Sequence, residues 1–171
     1  MKKRDRERKT AAMRAFETAQ IPVSFGDFGK KRVRTQFAAL PYRVRRGKPE
    51  VLLVTSRQRK RWIIPKGWPT EGLTPAESAE QEAWEEGGVR GKVFDVCVGI
   101  YGYTKVLNGK RDLPCMVAVF PLRVDHVDND FPERKERKRD WVSLKKAVKK
   151  LDEPELKQIL SRFDPAWLLR A

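Results

Sequence analysis

The order of apolar and polar positions changes character several times along this chain. Residues 1 to about 20 are densely charged and hold few core-forming side chains, which predicts a tail or a short helix outside the core. "PVSFGDFGKK" follows as a turn-rich connector. From Val33 the apolar residues come in runs. "VRTQFAALPYRV" and "EVLLVTS" predict two strands, with "RRGKP" between them as a hairpin break. "RWIIP" predicts a short strand ended by Pro65. "KVFDVCVGIYGYTKVL" and "LPCMVAVFPLRV" predict two long strands joined at Asn108-Gly109, where both residues tolerate positive φ. These runs do not alternate cleanly, so the sheet they build is expected to be buried on both faces.

Three helical patterns supply the covers. Thr74-Pro75-Ala76-Glu77 has the spacing of a capping box with Pro at the first helical position, and Gly87-Gly88 is a stop signal. The predicted helix runs from Pro75 to Glu86. Leu144, Ala147, Val148 and Leu151 mark a second helix, capped by Ser143. Leu156, Ile159, Leu160 and Phe163 mark a third, opened by Pro154. The expectation is an α/β fold, a mixed β-sheet between helices in an α/β/α sandwich. Residues 1–30 are read as a basic N-terminal extension and residues 31–171 as a single domain that includes the C-terminal helices.

Composition changes this picture in one respect. The chain carries 38 Lys and Arg against 23 Asp and Glu, a formal charge of +15, which implies a polyanionic partner or a solubilising surface. No apolar run reaches the roughly 18 residues of a membrane span. The basic start lacks the apolar stretch of a secretory signal, so a cytoplasmic location is expected. Cys97 and Cys115 stand in apolar runs without metal-ligand or redox spacing and are expected as reduced core residues. With His126 as the only histidine, a His-based triad or a zinc cluster is excluded.

Against that basic background, "LTPAESAEQEAWEEGG" holds five Glu and no basic residue. Glu82, Glu85 and Glu86 are spaced i, i+3 and i, i+4, on one side of the predicted helix, where like charges repel. Glu85 and Glu86 fall in its last turn, where the helix dipole disfavours anions. A solvated acidic face explains such a cluster poorly in a chain so rich in Lys and Arg. Hard oxygen ligands beside a Gly-containing loop suit Mg²⁺ or Mn²⁺, with open positions for water and phosphate.

The segment "GWPTEGLTPAESAEQEAWEEGGV" resembles the Nudix box, G-x5-E-x7-R-E-U-x-E-E-x-G-U, in which U is a bulky apolar residue. Gly67 matches the opening Gly, and Glu82, Ala83, Glu85, Glu86, Gly88 and Val89 match the run E-U-x-E-E-x-G-U. Leu73 stands where the box has its first Glu, and Gln81 where it has Arg. "FAALPYRVRRGKPEVLLVTSRQRKRWIIPKGW" resembles the strands that lead to the Nudix loop. "ERKRDWVSLKKAVKKL" resembles the late strand and helix of the diphosphoinositol polyphosphate phosphohydrolase branch. The resemblance covers residues 33 to 163.

The resemblance implies a Nudix pyrophosphohydrolase that cuts a phosphoanhydride with the help of Mg²⁺ or Mn²⁺. It implies Glu85 and Glu86 as metal ligands, Glu82 as the catalytic residue and a further ligand, the backbone carbonyl of Lys66 as another, and Glu133 or Glu136 as a fourth acid. Arg34, Arg57, Arg61, Lys66 and Arg137 flank the expected site and are candidates for substrate phosphate. Trp68, in the Nudix loop, is the candidate for stacking a base. Trp62, Trp141 and Trp167 are read as packing residues, and Trp84 as the residue that packs the acidic helix onto the sheet. The expected partner is a polyphosphorylated small molecule, a diphosphoinositol polyphosphate, a diadenosine polyphosphate or another nucleoside diphosphate derivative, bound by a monomer or dimer with no membrane involved. Leu73 and Gln81 leave open a ligand-binding module that does not cut, and the +15 charge leaves open an RNA-binding or RNA-end-processing protein.

Overall fold

The computed structural model describes residues 33–107 and 112–170. The N-terminal extension and the Asn108-Gly109 turn lie outside the described residues.

Among the described residues eight strands form one mixed sheet. The first hairpin joins β1 (Arg34–Arg45) to β2 (Lys48–Thr55) through Arg46 and Gly47, both left-handed at φ 51° and 73°. Two left-handed residues in succession match the twist of the flanking strands. Two short strands follow: β3 (Trp62–Ile63) pairs with β2, and β4 (Lys66–Gly67) pairs with β1. After the acidic helix α1 (Pro75–Gly87) come β5 (Val89–Val93), β6 (Gly99–Lys105) and the 15-residue β7 (Leu113–Val127). β7 runs parallel to β1, and every other pairing is antiparallel. The chain closes with β8 (Arg139–Ser143) against β2, helices α2 (Leu144–Lys150) and α3 (Pro154–Arg162), and a 3-10 turn (Pro165–Arg170).

Both faces of the sheet are covered, as the continuous apolar runs require. On one side Leu40, Val51, Leu53, Val117 and Val119 pack with Leu151, Leu156 and Leu160 of the C-terminal segment. On the other, Ala39, Leu52, Phe120 and Leu122 receive α1. The residues that seat α1 are small: Ala76, Ala79 and Ala83 are all buried. Trp84, expected to do this work, is half-exposed and lies under the Arg90 guanidinium, 3.7 Å from its ring centroid. Small side chains let the helix axis come close to the sheet, and a Trp would hold it away. Trp62, Trp141 and Trp167 do pack against the cores.

The run from Lys92 to Leu107 is two strands where one was expected. β5 and β6 lie end to end along β7, and residues 94–98 bridge them. Phe94 N–H donates to Pro121 O and Val98 N–H to Val119 O, both at 2.9 Å. Pro121 has no N–H to return, so the ladder breaks opposite it and the intervening chain bows outward. Cys97 rides on that bow and is exposed, contrary to the core position expected for it, while Cys115 in β7 is buried.

The ends of α1 are held as its sequence predicts. Thr74 Oγ1 accepts from Glu77 N–H at 3.2 Å, and Thr74 N–H donates to Glu77 Oε2 at 2.7 Å. Gly88 caps the C-terminus at φ 64° and donates its N–H to Trp84 O at 2.9 Å. A Cβ there would overlap the Phe131 ring and the Arg139 guanidinium. Gly88→Ala therefore combines a disfavoured backbone with a clash at the end of the acidic helix. It should cost roughly 1–3 kcal/mol, measured by urea denaturation.

Candidate active site

A cleft of about 800 Å³ opens where the last turns of α1 meet β4, the loop after β2 and the end of β6. Glu82, Glu85 and Glu86 line it from the helix, and Glu133 joins them from the loop before β8. Glu133 is positioned by its own backbone, whose N–H donates to Glu85 O at 3.0 Å. Glu136, the other acid considered for this place, is half-exposed outside the cleft.

Gly67 of β4 faces the helix so closely that a Cβ on it would overlap the Glu82 carboxylate. The glycine is what allows that carboxylate to lie against the strand backbone. Lys66 N–H donates to Glu86 Oε2 at 3.2 Å. The Lys66 ammonium lies 4.7 Å from the centroid of the Tyr103 ring. The Tyr103 hydroxyl in turn donates to Gln36 Oε1 at 2.6 Å.

Arg137 is the main cation among these acids. Its Nη2 pairs with Glu86 Oε1, its Nε with Glu133 Oε2 at 2.5 Å, and its Nη1 donates to Thr55 O at 2.9 Å. The side chain is 5% exposed. Arg137 thus lines the cleft with its donors committed to protein acceptors. Gln81 donates its amide to Glu85 Oε1 at 2.7 Å. Leu73 is exposed on the loop before the helix. Neither departure from the box puts a charge of its own into the site.

Glu82 has no ion-pair partner among the described residues. Burial, with the charges of Glu86, Glu85 and Glu133 nearby, pushes its carboxyl up to about 7. Burial raises Glu86 to about 7 as well, against the pull of Arg137 and Lys66. The Lys66 amine moves the other way, lowered by burial.

The remaining sequence candidates divide. Arg57 and Arg61 line the cleft, and Arg57 shares its charge with Glu133 and Glu136 at 3.9 and 3.8 Å. Arg34 is exposed at the start of β1 and does not line the cleft. Trp68 is 40% exposed at the cleft edge, with Lys105 Nζ 4.8 Å from its ring centroid. Sequence reasoning missed Arg59, Lys105, Tyr103, Gln36 and Glu153, which also line it. Arg59 stood in plain sight in "SRQRKR". Lys105 and Tyr103 were hidden in an apolar run, and Glu153, beside Pro154, carries no local signal.

Do these residues suit a divalent cation? Among the described residues no three acids already converge as a metal-binding group. Glu86 meets Arg137 with one oxygen and Lys66 N–H with the other. The donor chemistry still fits a hard cation: clustered carboxylates on one helix face, one of them uncompensated, beside a backbone segment that a side chain would block. Glu82, Glu85, Glu86 and Glu133 are the residues that would hold it.

Carboxylates from the acidic helix and the loop before β8, with Arg57, Arg59, Lys66 and Lys105 around them, line this cleft. The NUDIX domain model matches residues 34–163, and the chain belongs to the Nudix family. It is 32% identical over 127 residues to Nudix hydrolase 12, mitochondrial, of Arabidopsis thaliana, a match covering 72% of this chain and 57% of that one. To diphosphoinositol polyphosphate phosphohydrolase 3-alpha of Mus musculus it is 30% identical over 116 residues, covering 67% and 66%. The chain thus spans between half and two thirds of the length of these relatives. The fold matches a crystal structure of C. elegans Ap4A hydrolase with a TM-score of 0.56 at 24% identity, over 80% of this chain and 98% of that one. The NUDIX domain of Shewanella oneidensis NrtR, solved with ADP ribose, matches with a TM-score of 0.58 at 13% identity, over 80% and 92%. Among the described residues no helix is long and apolar enough to cross a membrane.

The acid cluster has two measurable consequences. Between the ordinary carboxyl range and about pH 7 the folded protein keeps a proton on Glu82 that the unfolded chain has released. The folded state binds more protons there, so stability falls as pH rises through that window. Glu82→Gln should flatten the fall, read from urea denaturation of metal-free protein at several pH values. Arg137→Met leaves Glu86 buried without its cation, and should cost about 3–5 kcal/mol in the same measurement.

Proposed function

We propose that the protein is a divalent-metal-dependent pyrophosphohydrolase that cuts a phosphoanhydride in a polyphosphorylated small molecule. The observation that carries this reading is Glu82, an uncompensated carboxylate beside Glu85 and Glu86 at the foot of a cation-lined cleft. A carboxyl raised to about 7 exchanges its proton near neutral pH, which suits a group that takes a proton from an attacking water. Glu85, Glu86 and Glu133, with the Lys66 carbonyl, are the proposed ligands of Mg²⁺ or Mn²⁺. Such an ion, when bound, neutralises charge on phosphate oxygens and acidifies a bound water.

Arg57, Arg59 and Lys105 are the proposed phosphate-binding cations, with Lys66 deeper in the cleft. Arg137 acts on substrate indirectly: its donors hold Glu86 and Glu133, which fixes where those carboxylates stand. Trp68 is proposed to offer its free ring face to a base or another flat group. The protein is proposed to act in the cytoplasm, although the plant relative carries "mitochondrial" in its name. Fractionation of cells expressing the tagged chain decides between the two.

Glu85→Gln and Glu86→Gln should each reduce turnover beyond the roughly 10–100-fold that loss of a supporting partner costs at a metal site. The measurement is phosphate or nucleotide release over a panel of pyrophosphates with Mg²⁺, with melting curves to show that each variant folds. Full turnover by the double variant contradicts the mechanism. A wild-type protein that is stabilised by these ligands yet releases nothing is instead a binding module.

A further inference from the structure

The last turn of α1 has no basic side chain of its own, and Glu85 and Glu86 stand there instead. Carbonyls at a helix end have no partner within the helix and need donors from elsewhere. Here one loop, residues 128–138 between β7 and β8, supplies two of them. Asp128 N–H donates to Gly88 O at 2.7 Å, and Glu133 N–H to Glu85 O at 3.0 Å. Arg139, the first residue of β8, supplies a third, because its Nη1 donates to Gly87 O at 2.8 Å.

The same Nη1 donates to Asp128 O at 2.6 Å, and Nη2 donates to Asn129 Oδ1 at 3.2 Å. The guanidinium also lies over the buried Phe131, 5.0 Å from the centroid of its ring. Gly88 makes room for this arrangement, since a Cβ there would overlap both groups. The Asp128 carboxylate is engaged by His126 at 2.8 Å and Arg90 at 3.4 Å, and Arg139 grips main-chain oxygens instead. One planar cation thus joins the helix end to the first two residues of the loop and to its middle. As the residue that follows the loop, it also closes the loop on itself. A lysine would carry the charge without the fork. Arg139 does not line the cleft, so any effect on the site passes through the loop and Glu133.

We propose that Arg139 is a positioning residue, which locks the loop 128–138 to the last turn of α1 and so sets the place of Glu133 beside Glu85 and Glu86. The proposal rests on the reading of these acids as a metal site. It adds to that site a residue outside the cleft on which its geometry depends.

Two variants test it. Arg139→Lys keeps a cation at the helix end and loses the fork, and Phe131→Leu keeps the guanidinium and removes the ring beneath it. Each is read by amide hydrogen exchange of the metal-free protein and by calorimetric titration with Mn²⁺ alone, with melting curves to show that it folds. In Arg139→Lys the Glu133 amide should exchange about tenfold faster, as loss of a charge-assisted hydrogen bond implies. The amide of Val119, in the middle of β7, should keep its wild-type rate. Mn²⁺ affinity should fall roughly 10–100-fold, as it does when a group supporting a metal ligand is lost. Phe131→Leu should move Glu133 exchange and Mn²⁺ affinity in the same directions by less. The proposal is overturned if both quantities stay within twofold of the wild type in both variants. It is also overturned if Glu133 and Val119 exchange speed up together, or if Glu133 loosens with no loss of Mn²⁺ affinity. Wild-type protein that binds no Mn²⁺ overturns the metal reading itself, and the proposal with it.

Discussion

The guanidinium of Arg137 is the constraint on which the rest of the site depends. Its three sets of donors reach the end of β2 at Thr55 O, the acidic helix at Glu86 and the loop before β8 at Glu133. With the side chain almost wholly buried, none of these bonds competes with bulk water. Removing the cation would leave two acids repelling each other under the helix, and the loop that carries Glu133 would lose its anchor. The backbone bond from Glu133 N–H to Glu85 O ties the same loop to the same helix turn, so the two interactions hold one geometry.

That arrangement neutralises part of the acid cluster and leaves the rest exposed to the cleft. Arg137 and the Lys66 N–H engage Glu86, Gln81 engages Glu85, and Glu82 stands against Gly67 without a cation. The result is a helix that tolerates three close carboxylates while keeping one of them hungry for positive charge. It also gives the missing basic residue of the box a physical counterpart. The support comes from a residue 51 positions further along the chain than Glu86, brought in by the pairing of β8 with β2.

Much of this was legible in the sequence because it is local. The capping box at Thr74, the stop at Gly88, the acid spacing on α1 and the two-sided sheet all follow from neighbours within a few residues or from a run of one texture. What was not legible is tertiary. Arg137 looks like any other cation in "ERKERKRDW", and nothing nearby in sequence shows that its donors are taken by Glu86 and Thr55. The break between β5 and β6 depends on a proline in a different strand, Pro121, and that break is what carries Cys97 to the surface. Trp84 does not pack the helix onto the sheet as expected, because close approach of helix and sheet favours alanine.

The Glu82–Glu85–Glu86–Glu133 cluster holds more carboxylates than cations, and under the proposed function a divalent ion completes it. The most direct test is calorimetric titration of the metal-free protein with Mg²⁺ and Mn²⁺ near pH 6.5, repeated in buffers of different ionisation enthalpy. Groups raised to about 7 still hold protons at that pH, and an ion that binds their carboxylates must displace them. Binding with net proton release is expected, with weaker release in Glu82→Gln. Binding without proton release, or no binding of either ion, would contradict a metal site at this cluster.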